Sequence, residues 1–257
     1  MMLPVAGLLL FMAARFFRQI LPVAQPEVVR SSAIATKQRG RIALILDDVG
    51  FDRQPLDRAM TIDPKLNFSI LPNSRNATAF ANILSARGFE VLCHLPMEPE
   101  GFPGVSPGAG AVLTTMSDVE IARATRANVA AVPHARGVNN HMGSRATADR
   151  RVMSDVLGAL PDGMYFIDSR TTPSSVGERT ARQLSIRTAS RNVFLDDVQQ
   201  EPDIRRQLRE LAHDAEVHGT AVGIGHMYPA TIEVLRLEVP RLRRNGFRFV
   251  RASEVVN

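Results

Sequence analysis

From residue 41 onward the chain alternates short apolar runs with segments of helical spacing, and this rhythm limits the folds open to it. Arg41–Leu46 (RIALIL) is an apolar run that ends in Asp47-Asp48, as expected of a strand buried on both faces. Comparable runs are Leu66–Leu71, Glu90–His94, Gly137–His141, Met164–Asp168, Val193–Asp196, Thr220–Gly225 and Phe247–Val250. Between them, Ile204, Leu208, Leu211 and Ala215 recur on one helix face, with Pro202 near its start and Gly219 just past its end. Another helix is expected from Pro229 to about Asn245-Gly246, kinked at Pro240. Residues 99–117 carry Pro, Gly and Ser too densely for regular structure and read as a long loop. Strands alternating with helices make βα units and a mostly parallel sheet. The expectation is an α/β fold, a distorted single-domain (β/α) barrel of about seven strands, complete or slightly open. A doubly wound open sheet is the alternative.

Composition removes several function classes. The formal charge of +5 suggests a nucleic-acid partner, but the basic residues are almost all Arg, Lys37 and Lys65 being the only lysines. The densest basic run, Arg241–Arg251, is interrupted by apolar residues and reads as a solvated helix face. No nucleic-acid partner is expected. The single cysteine, Cys93, excludes an internal disulfide and a multi-cysteine zinc site. Residues 1–14 form an apolar run followed by Arg15 and Arg18, shorter than the ~20 residues that span a bilayer. The usual basic stretch before a signal-peptide core is missing. Residues 22–40 are rich in Pro, Ser, Gln and Arg, as a tether would be. We read 1–40 as an export signal or inner-membrane anchor with linker, and 41–257 as the folded domain, periplasmic or secreted. The amphipathic start of a cytoplasmic protein is the alternative.

Polar residues collect at the ends of the apolar runs. Asp47-Asp48, His94, His141, Asp168, Asp196-Asp197 and His226 each end or closely follow one. In a parallel barrel all C-terminal strand ends open on one face, which carries the active site. A carboxylate with two imidazoles suits a divalent ion and leaves a position for water. Each residue also has a plainer reading. A strand-end Asp can cap the next helix, and a lone His can be a hydrogen-bonded core residue. His134, His213 and His218 read as surface residues.

The stretches ALILDDVGFD (43–52), NFSILPNS (67–74), VLCHLPMEP (91–99), GVNNHMGSRATAD (137–149), YFIDSRTT (165–172), VFLDD (193–197) and AVGIGHMYPATIEVL (221–235) together resemble the divergent polysaccharide deacetylase family. The resemblance implies a distorted (β/α) barrel. It also implies Asp47 as catalytic base, Asp48 as a ligand of a divalent metal, expected to be Zn²⁺, His94 and His141 as further ligands, and His226 as general acid. Glu98, Asn140, Asp168 and Tyr228 are the expected substrate-binding residues, with Phe51, Phe102 or Tyr228 as sugar-stacking surfaces.

This chain departs from the ordinary pattern of the superfamily. His94 is followed by Leu95-Pro96-Met97-Glu98-Pro99 with no second His, where Glu98 could supply an oxygen ligand. No Arg-Pro-Tyr motif is recognisable, and the chain has no Trp. The leading expectation is a metal-dependent hydrolase removing acetyl groups from an N-acetylated glycan. The second is a catalytically silent metal-bearing barrel that binds envelope glycan or a protein partner. A third is a metal-dependent hydrolase of esters or phosphates, although no Gly-rich phosphate loop is present.

Overall fold

The computed structural model describes residues 38–257, which lie within one compact unit, Thr36–Asn257. The expected signal or anchor therefore falls, save for residues 38–40, outside the described residues. Among the described residues no helix is long and apolar enough to cross a membrane. The strands are β1 (Gly40–Val49), β2 (Asn67–Ile70), β3 (Glu90–Met97), β4 (Ala135–Met142), β5 (Tyr165–Asp168), β6 (Thr188–Ser190), β7 (Val193–Phe194), β8 (Thr220–His226) and β9 (Phe247–Phe249). The helices are α1 (Leu56–Met60), α2 (Ala77–Ala86), α3 (Asp118–Ala130), α4 (Arg150–Gly158), α5 (Gly177–Gln183), α6 (Glu201–His218) and α7 (Pro229–Arg244).

All pairings between these strands are parallel, in the order β6-β5-β4-β3-β2-β1-β8-β7. β9 pairs with the first residues of β1, Gly40–Ile42, while β2 pairs with its later residues from Ile45. β6 and β7 end the order on opposite sides, yet only Arg191 and Asn192 separate them in the chain. Three peptide steps span at most about 11 Å. The sheet must therefore curl until its two edges face each other, a slightly open barrel rather than a doubly wound sheet. Eight strands form the path instead of about seven. The additional one, β6, lies in a Thr-Ala-Ser stretch with no apolar run to announce it.

Side-chain alternation divides each strand between two cores. On β1, Ile42, Leu44 and Leu46 join the larger cluster under the helices. Ala43 and Ile45 join a second cluster with Leu92, Tyr165, Ile167, Val222 and Ile224. That second cluster fills the barrel, and Val250, Ala252, Val255 and Val256 join it from the C-terminal turn. Room inside is tight: a Cβ on Gly137 would lie 2.4 Å from the Tyr165 ring. The Tyr165 hydroxyl donates to Glu90 at 2.8 Å, and Glu90 also accepts from the Ser253 amide and hydroxyl. The interior is thus filled, its polar groups bonded within it, and closed toward the C-terminal turn, which leaves the C-terminal strand ends as the open mouth.

The two expected helices are α6 and α7. α6 has Pro202 in its first turn and Gly219 at its C-cap with φ +79, a left-handed conformation glycine adopts without strain. α7 runs from Pro229 through Pro240 as one helix. Between β3 and α3 the chain is irregular, apart from a bridge between Val112 and Met97. α3 begins with a capping box between Ser117 and Glu120.

Candidate metal centre

Alternation along β1 points Asp47 inward with Ala43 and Ile45, and would send Asp48 outward. The strand breaks its alternation there. Asp48 has φ +55 and the β1–β2 register shifts between Leu46 and Val49. A left-handed non-glycine residue costs about 1–3 kcal/mol and persists only where its surroundings enforce it. Gln54 does so: its Nε2 donates to the Asp48 carbonyl at 2.7 Å, and its Oε1 accepts from the Gly50 and Phe51 amides. Two consecutive carboxylates therefore face one site.

β3 and β4 bring the imidazoles. Leu92 and His94 share the inward face of β3, and Asn139 and His141 that of β4. His94 is the register partner of Asn139. Asp48, His94 and His141 each offer an atom within 4.8 Å of the others. Asp48 Oδ1 lies 3.3 Å from His94 Nε2 and 2.9 Å from His141 Nδ1. Even so, this buried oxygen has no aligned hydrogen-bond partner. Bonds of ~2.1 Å to one zinc ion would separate tetrahedral ligand atoms by roughly 3.4 Å. An orphaned carboxylate oxygen between two imidazole nitrogens at about that spacing fits a divalent cation better than a hydrogen-bond network.

Electrostatics agree with the geometry. Burial works against the Asp48 carboxylate, but His141 and His94 outweigh it and hold its pKa below the ordinary range. Burial likewise opposes charge on His94, yet the Asp47 and Asp48 carboxylates raise the imidazole to about 9. Burial pushes the Asp47 carboxyl up, against the pull of His94 and His226. The sequence reading missed the residue that holds Asp47 in place. Asn139 Nδ2 donates to its oxygens at 3.0 and 3.1 Å, while Asn139 Oδ1 faces His94 Nδ1 at 2.9 Å and accepts from Ser69.

His226, at the end of β8, faces the other oxygen of Asp48, with Nε2 3.5 Å from Oδ2. Its Nδ1 lies 3.0 Å from Asp196 Oδ1. Asp196 Oδ2 accepts from the His226 amide at 2.6 Å and the Thr231 hydroxyl at 2.7 Å. Burial opposes protonation of His226, but Asp196 leads the groups that raise its pKa. Tyr228 lies against the imidazole with ring centroids 5.1 Å apart, and Phe194 meets it edge-on at 5.4 Å.

Glu98, Asn140 and Asp168 lie elsewhere, each with its side chain engaged by the protein. Glu98 accepts from the Thr114 amide and hydroxyl and from Arg145, bracing the long loop. Asn140 bridges the Met142 carbonyl and the Ser169 amide. Asp168 accepts from the Arg170 amide, Ser175 hydroxyl and Glu178 amide. The last two fall at the outward parity of β4 and β5, next to inward Asn139 and Ile167. His134, His213 and His218 are exposed, as expected.

A cavity of about 300 Å³ reaches His141 between Phe51, Leu71, Pro96 and Pro107. A second, of about 630 Å³, lies at the β6–β7 seam and is lined by Arg170, Arg191, Phe194 and Asp197 among others. The larger one touches none of the three candidate ligands. The smaller one is the cleft that adjoins one of them, His141.

The sequence profile of a family described as divergent polysaccharide deacetylase matches residues 44–256. The uncharacterized protein YibQ of Escherichia coli is 34% identical over 243 residues, covering 94% of this chain and 74% of that one. A crystal structure of an uncharacterized protein from Agrobacterium tumefaciens has a similar fold, with TM-score 0.81 and 22% identity over 85% of this chain and 90% of that one. A CE4 family pseudoenzyme from Bacillus anthracis shares the fold at TM-score 0.52 and 16% identity, covering 86% of this chain and 66% of that one.

Proposed function

We take as premise that the chain belongs to the divergent polysaccharide deacetylase family, and we propose that it is a cell-envelope hydrolase that removes acetyl groups from N-acetylated carbohydrate. One observation carries this reading. His94 and His141 converge on an unpartnered oxygen of Asp48, with Asp47 3.4 Å from His94 Nε2 and His226 facing the other Asp48 oxygen. A divalent cation held there, Zn²⁺ in our reading, would supply Lewis-acid polarisation of the acetamide carbonyl and lower the pKa of a water.

The chain's own groups divide the proton transfers. Asp47, raised by burial and anchored through both oxygens by Asn139, is placed to take a proton from the attacking water. His226, tied through Nδ1 to Asp196, is placed to give a proton to the leaving amine. The carbon–nitrogen bond breaks, a carbon–oxygen bond forms, and acetate and a free amine leave. Phe51 on the wall of the smaller cleft and Tyr228 beside the acid offer ring faces to a sugar. Envelope location rests on the reading of residues 1–40 as export signal or anchor.

A second reading, a silent metal-bearing barrel that binds glycan or a protein partner, is favoured by the burial of Asp47, only 3% exposed. Acetate release separates the two. The zinc-loaded full chain is incubated with N-acetylated glucosamine oligomers, with and without a chelator. Chelator-sensitive release supports the hydrolase. Bound zinc without release supports the silent barrel.

A further inference from the structure

Asn139 is fully buried, as is Ser69 beside it. Its neighbours dictate which way the amide points. Both oxygens of the Asp47 carboxylate lie within 3.1 Å of one end of the amide. A carboxylate only accepts, so that end is the NH₂. The carbonyl end, Oδ1, then faces His94 Nδ1 at 2.9 Å and the Ser69 hydroxyl, and both must donate to it. His94 therefore carries a hydrogen on Nδ1, so when the ring is neutral, as a ligating imidazole must be, Nε2 holds the lone pair. Nε2 is the atom that faces Asp48 Oδ1 at 3.3 Å.

Resting on the metal reading of this site, we infer that Asn139 is a positioning residue that sets the tautomer of one metal ligand and the orientation of the base through a single amide. The backbone makes this possible. Asn139 and His141 share the inward face of β4, and Asn139 is level with His94 on β3. Ser69, from the inward face of β2, adds a second donor to Oδ1 and opposes rotation of the amide. Groups that hold the far nitrogen of a ligating histidine fix its orientation and strengthen it as a ligand, and losing them costs metal affinity.

Zinc affinity of the full chain, measured by competition with a chromophoric chelator, tests this through two variants with opposite expectations. Asn139→Leu removes both functions, whereas Asn139→Asp keeps an acceptor for His94 Nδ1–H and gives up the donor to Asp47. Affinity should fall about 10- to 100-fold in Asn139→Leu and stay within about threefold in Asn139→Asp. A merely structural role predicts lower stability in both variants and unchanged affinity in either. The native chain gives a second test that needs no variant. Long-range ¹H–¹⁵N correlation of the zinc-loaded protein should show His94 coordinated through Nε2 with Nδ1 protonated. Coordination through Nδ1, or native-like affinity in Asn139→Leu, overturns the inference and leaves the metal reading standing. A native chain that binds no zinc overturns both.

Discussion

His226 and Asp196 make a two-point contact: the imidazole Nδ1 lies 3.0 Å from one carboxylate oxygen, and the His226 backbone amide donates to the other at 2.6 Å. The carboxylate thus fixes both where β8 ends and which way its last side chain turns. Asp196→Asn keeps an acceptor but loses the charge that favours the imidazolium. Acetate release should fall by up to the ~10²–10⁴ that a general acid contributes, while zinc content stays at the native level. Equal loss of zinc would place Asp196 in the metal site instead.

Glu98 holds the long loop between β3 and α3 by its charge. Burial opposes ionisation, but bonds from the Thr114 amide at 2.6 Å, its hydroxyl at 2.8 Å and Arg145 at 2.9 Å outweigh it and hold the pKa below the carboxylate range. A lowered folded pKa gives stability that is present above the unfolded value of about 4.3 and is lost as pH falls through the folded value. Denaturant midpoints of the native chain should therefore decline on acidification below about pH 4.3. In Glu98→Gln that decline flattens, and stability at neutral pH drops by about 1–3 kcal/mol. Zinc content should not change; its loss would make Glu98 a ligand.

The alternation of runs and helical segments made the barrel legible, and polar residues at strand ends pointed to Asp48, His94, His141 and His226. Parity was the unused signal. Counting back from inward His141 makes Asn139 inward and Asn140 outward, and the step from Ile167 turns Asp168 away from the mouth. The same count would have singled out Asp196, two residues beyond inward Phe194, from its neighbour Asp197. Asp48 could not be read this way, because its inward turn needs φ +55 and the Gln54 brace, and no residue type announces either. Nor was the role of Glu98 legible, since its partners Thr114 and Arg145 lie far along the chain.

Gly137 leaves the space that Tyr165 fills. An added Cβ would meet the ring at 2.4 Å inside a closed core. Gly137→Ala should lower unfolding free energy by about 1–3 kcal/mol. The measurement is a urea midpoint that shifts with an unchanged m-value. An unshifted midpoint would show that the barrel interior is looser than described.

Phe51 is half exposed on the wall of the cleft that reaches His141. A sugar ring bound there would lose its stacking face in Phe51→Ala. KM for N-acetylated oligomers should rise with little change in kcat, and stability should move by no more than about 0.5 kcal/mol. An unchanged KM would put the sugar elsewhere, with Tyr228 the next surface to test.

Both the hydrolase and the silent barrel depend on Asp48, His94 and His141 holding one ion together. Metal stoichiometry of the full chain after zinc loading and desalting tests that dependence most directly. The account predicts one equivalent in the native chain and in His226→Ala, and none in Asp48→Ala, His94→Ala or His141→Ala. A native chain that retains no metal, or ligand variants that retain it fully, would contradict the account.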